Sequence, residues 1–403
     1  MTPFEPALRH EEEPSLEVGD EPQLVERLRD EIRVAGPITF ARFMERALYE
    51  PGLGYYTGAA AGPGRTGDFL TAPETHPIFG WAVARQLEEL WQVLGGPVPF
   101  VVREHGAGSG ALAVAILDGL VRDRSPLRDA IRYEAIEVDE RRLAAFRERV
   151  TTAGHADALD RGSSSTSVVG AVLGNEVLDA LPVHRVVVRQ GSLREIYVDW
   201  SGERFVEREG EPSTARLEER LRDEEITLAD GQHAEIALGV DDWIARDAAE
   251  LERGILLLVD YGHPARELYS ARRARGTLLA YVRHRAHDDP FRNVGRQDLT
   301  AHVDVTAVER AAERAGLQRL GVTTQAEFLV GLGIGELLSA IQADPSTSIE
   351  SYLGLRSSVV RLLDPAATGR FAVMAFGRGV APDAPLRGFG FRLVDRVAAV
   401  KGD

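Results

Sequence analysis

The chain has no cysteine, which excludes disulfides, thiolate metal sites and cysteine nucleophiles. Lysine is nearly missing as well: among 47 basic residues only Lys401 is one, a bias that points to codon usage rather than to a special use of the guanidinium group. No apolar run approaches the ~20 residues that a helix needs to cross a bilayer, so no membrane span is expected. The first residues, MTPFE followed by Glu11, Glu12 and Glu13, are acidic where a secretory signal is basic and then apolar, and the cytoplasm is the expected compartment. Positive charge is in deficit overall. A net charge of -16 opposes nucleic-acid binding and favours a cationic partner. Around His263, His284, His287 and His302 there is no HExxH or facial-triad spacing, although Asp288, Asp289 and Asp304 lie near in sequence, so no metal is expected.

What the chain does have is 403 residues, 44% of them hydrophobic, enough to bury a core in two or three domain-sized units. Its most informative stretch is residues 101–112, VVREHGAGSGAL. An apolar strand runs into Glu104 and then into Gly106, Gly108 and Gly110, and a helix opens at Ala111. Glycines at alternate positions let the backbone turn sharply and approach a ligand closely, and the helix N-terminus attracts an anionic group. Two cofactors fit such a loop. Read as GxGxxA, it matches the dinucleotide fingerprint of NAD and FAD enzymes. Read as ExGxGxG, it matches S-adenosylmethionine (SAM) methyltransferases. Glu104 favours the second reading, because a strand-end carboxylate repels a pyrophosphate and accepts hydrogen bonds from the methionyl ammonium.

A second apolar strand over 132–138 ends at Glu137, placed to hold the ribose hydroxyls; Asp139 is second choice and suits a helix cap better. A third strand, 168–173, delivers Asn175, Glu176 and Asp179 to the same edge of the sheet. Asn175 is a cofactor candidate, and Glu176 and Asp179 are catalytic candidates, since a carboxylate pair can bond a guanidinium, localise its charge and take up a proton. The plainer alternative makes Asn175 and Glu176 cofactor ligands or caps, and Asp179 a helix residue. Asp68, in a glycine-rich loop, is a candidate for the methionyl end. Tyr261, His284 and His302 are candidates for substrate contact.

Five blocks in order, GDFLTAPE (67–74), EHGAGSGAL (104–112), NEVLDALPVH (175–184), DYG (260–262) and GxxDLTAHVD (295–304), resemble the MidA-like methyltransferases, whose mitochondrial relatives are complex I assembly factors. The resemblance spans about 22–340 and includes GPITF (36–40) and YEPGLGYY (49–56). It implies a SAM-dependent protein-arginine methyltransferase forming symmetric dimethylarginine, with a protein substrate, a respiratory complex subunit among the candidates. A homodimer is left open. The departures are a short segment at 151–167, and His105 and Ala107 inside the glycine loop.

The expected fold is α/β, a doubly wound Rossmann-like class I methyltransferase sheet with a helical N-terminal cap and a small antiparallel β insertion. Its expected divisions are an acidic tail (1–20), the cap (21–95), a first part of the core (96–183), the insertion (184–235), a second part of the core (236–380) with a substrate loop at 276–304, and a C-terminal tail (381–403). Small-molecule methyl transfer, SAM binding without turnover, and nicotinamide oxidoreduction are the alternatives.

Overall fold

The computed structural model describes residues 17–58, 76–159 and 167–392. Asp68 and the rest of the GDFLTAPE block lie outside the described residues. The chain is an α/β protein built on a six-stranded mixed sheet. Its strands are β1 (Phe100–His105), β2 (Ile131–Ile136), β3 (Val168–Asn175), β4 (Leu251–Asp260), β5 (Gln318–Thr324) and β6 (Ala372–Arg378). The spatial order is β5-β6-β4-β3-β1-β2. Strands β2, β1, β3 and β4 are parallel, whereas β6 and β5 pair antiparallel at the far edge.

Both faces of this sheet are covered, which is why β3 and β4 read as continuous apolar runs rather than alternating ones. Phe100, Val102, Leu173, Leu257 and Val373 point into one core with helices Ile78–Val93, Ala111–Arg122 and Glu140–Thr152. Val101, Val172, Leu256, Leu258 and Met374 point into the other, against helices Gly239–Glu250 and Val305–Arg314. Short polar caps set the helix starts: Thr39, Asp139 and Asp304 each accept a backbone N–H from the first turn that follows. Among the described residues no further strand lies beyond β2. A single parallel bridge joins Tyr133 of β2 to Leu159 at that edge.

The antiparallel insertion consists of strands His184–Arg189, Ser192–Trp200, Phe205–Gly210 and His233–Ile236, with a helix at Arg216–Asp223. Sequence periodicity did not show its partner. Between helices Pro22–Ala35 and Phe40–Tyr49, residues Ile38 and Thr39 form a two-residue strand that pairs with Val198 and Tyr197. Leu24, Phe43, Val198, Phe205, Ala280 and Leu299 then share one core, so the N-terminal helices, the insertion and the 276–304 segment pack as one body. That last segment is not open loop throughout. It contains a three-stranded sheet of Leu279–Val282, Arg285–His287 and Asp298–Thr300.

At the middle of the main sheet, Gly170 of β3 and Gly254 of β4 stand opposite each other in register. Both hold φ values closed to L side chains, +150° and +141°. A Cβ on Gly170 would lie 2.1 Å from the Val101 carbonyl oxygen, and one on Gly254 would lie 1.8 Å from that of Gly170. Gly170→Ala and Gly254→Ala should therefore each cost more than about 3 kcal/mol, well above the ~1 kcal/mol of an unhindered glycine replacement at positive φ such as Gly202→Ala. Thermal denaturation of the three variants tests this, and similar melting temperatures for all three would refute it.

Candidate active site

The parallel strands all point their C-terminal ends at one edge, and chain order reverses there between β1 and β3. In such sheets ligands bind at this reversal. A cavity of about 780 Å³ opens at that point, lined by the glycine loop, the ends of β2 and β3, Tyr49 and Tyr56 of the N-terminal segment, and helix 239–250. Gly106, Gly108 and Gly110 have φ of +62°, +50° and +80°. A Cβ at Gly106 would press to 3.0 Å from Val177 Cγ2, and one at Gly110 would meet Phe146 at 2.9 Å. The loop is thus shaped by glycine at positions where other residues would strain the backbone or fill the space.

Glu104 lies beneath this loop, buried, with the Tyr133 hydroxyl donating to it at 2.7 Å. Burial pushes its carboxyl up to about 8; the Tyr133 hydrogen bond opposes the shift and the Glu137 charge adds to it. Glu137 follows the end of β2 and takes N–H bonds from Gly108 at 2.9 Å and from Val138 at 2.8 Å. It braces the glycine loop and still has lone pairs free for a diol. Asp139 caps helix 140–152 and also bonds Arg141, which fits the capping role. Asn175 lines the cavity, and its Oδ1 is buried with no hydrogen-bond partner among the described residues. Left-handed glycines, an unsatisfied amide oxygen and two acids at the strand ends together suit a nucleoside cofactor carrying an ammonium group.

Past β3 the chain makes a tight acidic turn. Glu176 has φ +53°, an uncommon conformation for a residue with a side chain, and it lines the cavity. One carboxylate holds the turn in shape. Asp260, at the end of β4, accepts the N–H groups of Val177, Leu178 and Asp179 on Oδ2 at 3.1, 2.9 and 3.3 Å, and that of Tyr261 on Oδ1 at 2.9 Å. Asp179 is buried one layer behind Glu176, where burial lifts its carboxyl to about 6 and a Tyr261 hydrogen bond pulls the other way. Burial, and then the charges of Asp179 and Glu176, push Asp260 well above the carboxylate range. Neither Asp179 nor Asp260 is bonded by a basic side chain of the described residues.

Not every candidate reaches the cavity. Tyr261 packs edge-on against His302 at 5.2 Å, beside Asp179 rather than in the cavity lining. His302 itself lines a separate small pocket, and burial lowers its pKa to about 4, so it is neutral. His284 is exposed at the turn between strands 279–282 and 285–287, with φ +62°. Conversely, sequence reasoning gave no role to Tyr49 and Tyr56, although the YEPGLGYY block contained both. They stack at 5.4 Å over the acidic turn. Tyr49 donates to the Ala180 carbonyl oxygen and Tyr56 to Asp298. Arg141 ties the nearby backbone down by donating to the carbonyl oxygens of Thr57 and Gly58, and Arg142 lies 5.6 Å over the Tyr56 ring. His105, Trp243, Arg246 and Asp247 were also missed, because their meeting depends on how helix 239–250 packs against β1.

Residues 82–323 match the family model described as S-adenosyl-L-methionine-dependent methyltransferase. The chain belongs to this family. It is also similar to a Burkholderia thailandensis protein solved with S-adenosyl-homocysteine bound, at 34% identity and a TM-score of 0.82 over 93% of this chain and 97% of that one. A protein arginine methyltransferase NDUFAF7 homolog of Drosophila melanogaster is 28% identical over 89% of this chain and 85% of its own length, and the human NDUFAF7 is 27% identical over 79% and 75%. SAM is therefore the cofactor of this methyltransferase, and of the two readings of the glycine loop the ExGxGxG one stands. The cytoplasmic placement expected from the N-terminal residues is corrected by the same finding, since the curated relatives are mitochondrial proteins.

A protonated Glu104 beneath the glycine loop has a measurable consequence if the cofactor's ammonium group lies beside it. In the free protein its carboxyl ionises near 8 rather than near 4.5, so its contribution to stability is full in acid and is lost as pH rises through about 8. An ammonium group brought beside it favours the ionised form, and below pH 8 binding must release a proton. Calorimetric titration with S-adenosyl-homocysteine at pH 7, in buffers of different ionisation enthalpy, should show this release in the native protein and none in Glu104→Gln. Equal proton counts for the two proteins would remove Glu104 from this role.

Proposed function

We propose that this methyltransferase modifies arginine side chains of a protein substrate and carries the modification to symmetric dimethylarginine. The observation that carries the reading is the acidic turn. Glu176 lines the SAM cleft with Asp179 and Asp260 buried behind it, and no basic side chain among the described residues bonds the two buried members. Three carboxyl groups so close repel one another, and an entering guanidinium relieves that repulsion. Tyr49 and Tyr56 add stacked rings on the approach, surfaces that a guanidinium favours. The arginine methyltransferase names of the mitochondrial relatives support the same acceptor, and a respiratory complex subunit is the substrate that the family resemblance suggests. We read the sheet as the doubly wound, Rossmann-like class I type, on the reversal of chain order at the cleft.

When bound, the cofactor supplies an electrophilic methyl on a sulfonium, which needs no further activation. The protein's task is alignment and proton removal. Glu176, held in its left-handed conformation, bonds the guanidinium and directs one nitrogen along the line of attack. As that nitrogen gains its methyl it must lose a proton, and Asp179, with a carboxyl near 6, can accept it through the Glu176 side of the turn. Asp260 positions the turn and does not touch the acceptor.

Incubation of the protein with deuteromethyl-labelled SAM and lysate from cells lacking it should place label on protein arginines. Asp179→Asn should cut the rate at least ~100-fold while binding S-adenosyl-homocysteine normally. For the native enzyme kcat/KM should rise with pH through about 6, as Asp179 ionises. Label confined to small molecules would replace the protein substrate with a metabolite. Tight cofactor binding without any label would make the chain a binder without turnover.

A further inference from the structure

Tyr49 and Tyr56 stand at the cleft with their hydroxyl protons already committed. The Tyr49 hydroxyl is 3.0 Å from the Ala180 carbonyl oxygen, an atom that can only accept. The Tyr56 hydroxyl is 2.8 Å from Asp298 Oδ1, and the same oxygen takes the Leu299 N–H at 2.9 Å, so the phenol is the donor there too. Burial, followed by the charge of Asp298, holds both phenols above their usual range, and both keep their protons. A phenol that has given away its one proton has only oxygen lone pairs left for a further partner. Both residues line the cleft, and what their oxygens can offer there is acceptance alone.

Asp298 is not itself among the described residues lining the cleft. It is fully buried at the start of strand Asp298–Thr300, in register with Tyr281 of the neighbouring strand. Three residues on, Ala301 donates to the Asp179 carbonyl oxygen at 3.0 Å, so the strand that carries Asp298 is tied to the acidic turn. The charges of Asp298 and Asp179 act on the same phenols, those of Tyr49, Tyr56 and Tyr281. The two acids therefore border one group of tyrosines, Asp179 behind Glu176 and Asp298 behind Tyr56. A guanidinium matches such a wall, because it carries five N–H donors and no acceptor. An alcohol or a carboxylate would set its own lone pairs against those of the phenols.

We infer that the Tyr49 and Tyr56 oxygens accept N–H groups of the methyl-accepting guanidinium, and that Asp298 is the positioning residue that keeps Tyr56 in this role by holding its proton. This rests on the arginine reading above and adds the means by which the site tells a guanidinium from acceptors that present lone pairs. Without an acceptor at position 298 the phenol proton is free to turn towards the cleft, where it would meet the N–H groups of the substrate. The role asks for a hydrogen-bond acceptor at Asp298 and not for its charge, and that distinction can be measured.

The test uses the full chain, deuteromethyl-labelled SAM and lysate proteins from cells lacking the enzyme, with arginine label counted at low and at saturating lysate concentration. Calorimetric titration with S-adenosyl-homocysteine runs beside it. Tyr56→Phe and Asp298→Ala should each lower the rate at low lysate concentration about tenfold or more, with much of the loss regained at saturation and cofactor affinity within about twofold of native. The two substitutions combined should lose little more than either alone, because Asp298 acts through Tyr56. Asp298→Asn should stay within about threefold of the native rate, since its carboxamide oxygen still takes the phenol proton. A loss in Asp298→Asn as large as in Asp298→Ala, or losses that multiply in the double variant, would overturn the positioning role. An unaltered rate in Tyr56→Phe, or a tenfold fall in its cofactor affinity, would overturn the contact with the acceptor. Should Asp298→Ala not fold, Tyr56→Phe and Asp298→Asn still decide. Absence of arginine label with the native protein would instead remove the arginine reading, and the inference with it.

Discussion

The carboxylate of Asp260 collects four backbone N–H groups, three from the turn after β3 and one from the residue that follows it. Much of the site depends on that arrangement. It fixes the turn that puts Glu176 into the cleft in a conformation its side chain disfavours, and it keeps Asp179 in place behind. Strands β3 and β4 are neighbours in the sheet, so a carboxylate at the end of one can organise the loop leaving the other without any flexible connection. The surrounding structure keeps up the arrangement: Ala301 donates to the Asp179 carbonyl oxygen and Val303 to that of Tyr261, so the 276–304 segment is tied to the same turn.

The electrostatic consequence is a site under tension. Glu104, Asp179 and Asp260 are all buried enough to shift upward, and two of the arginines lining the cleft are engaged elsewhere: Arg103 with two glutamates, Arg141 with Asp139 and the 57–58 backbone. Buried acids without internal counter-charges are expensive to maintain and are found where a ligand brings the missing positive charge. In this chain the two ligands proposed for the cleft are both cationic at the points where the acids stand, an ammonium above Glu104 and a guanidinium beside Glu176.

Three stretches distant in sequence close the cleft. The N-terminal helices contribute Tyr49 and Tyr56, the insertion supplies the sheet on which those helices pack, and helix 239–250 forms the far wall. The two-residue strand at Ile38 and Thr39 makes the first of these connections, pairing with the insertion rather than with the main sheet. The N-terminal segment thereby becomes part of the active-site scaffold.

The sequence by itself determined the glycine loop, the strand-end acids Glu104, Glu137 and Glu176, the antiparallel insertion, and the helix starts at Ala111 and after Asp139. Each of these is a local matter, since turn geometry, residue alternation and capping act over a few neighbouring residues. Only the tertiary structure decided which side chains meet across elements. It separated His284 and His302 from the cleft, set Tyr261 behind Asp179 rather than at the substrate surface, and brought Asp247 and Trp243 opposite His105. Packing angle and strand order fix such meetings, and neither leaves a periodic mark in the chain: Asp247 reads in sequence as one more polar residue of an amphipathic helix, and its burial follows from the helix lying against β1, more than a hundred residues earlier.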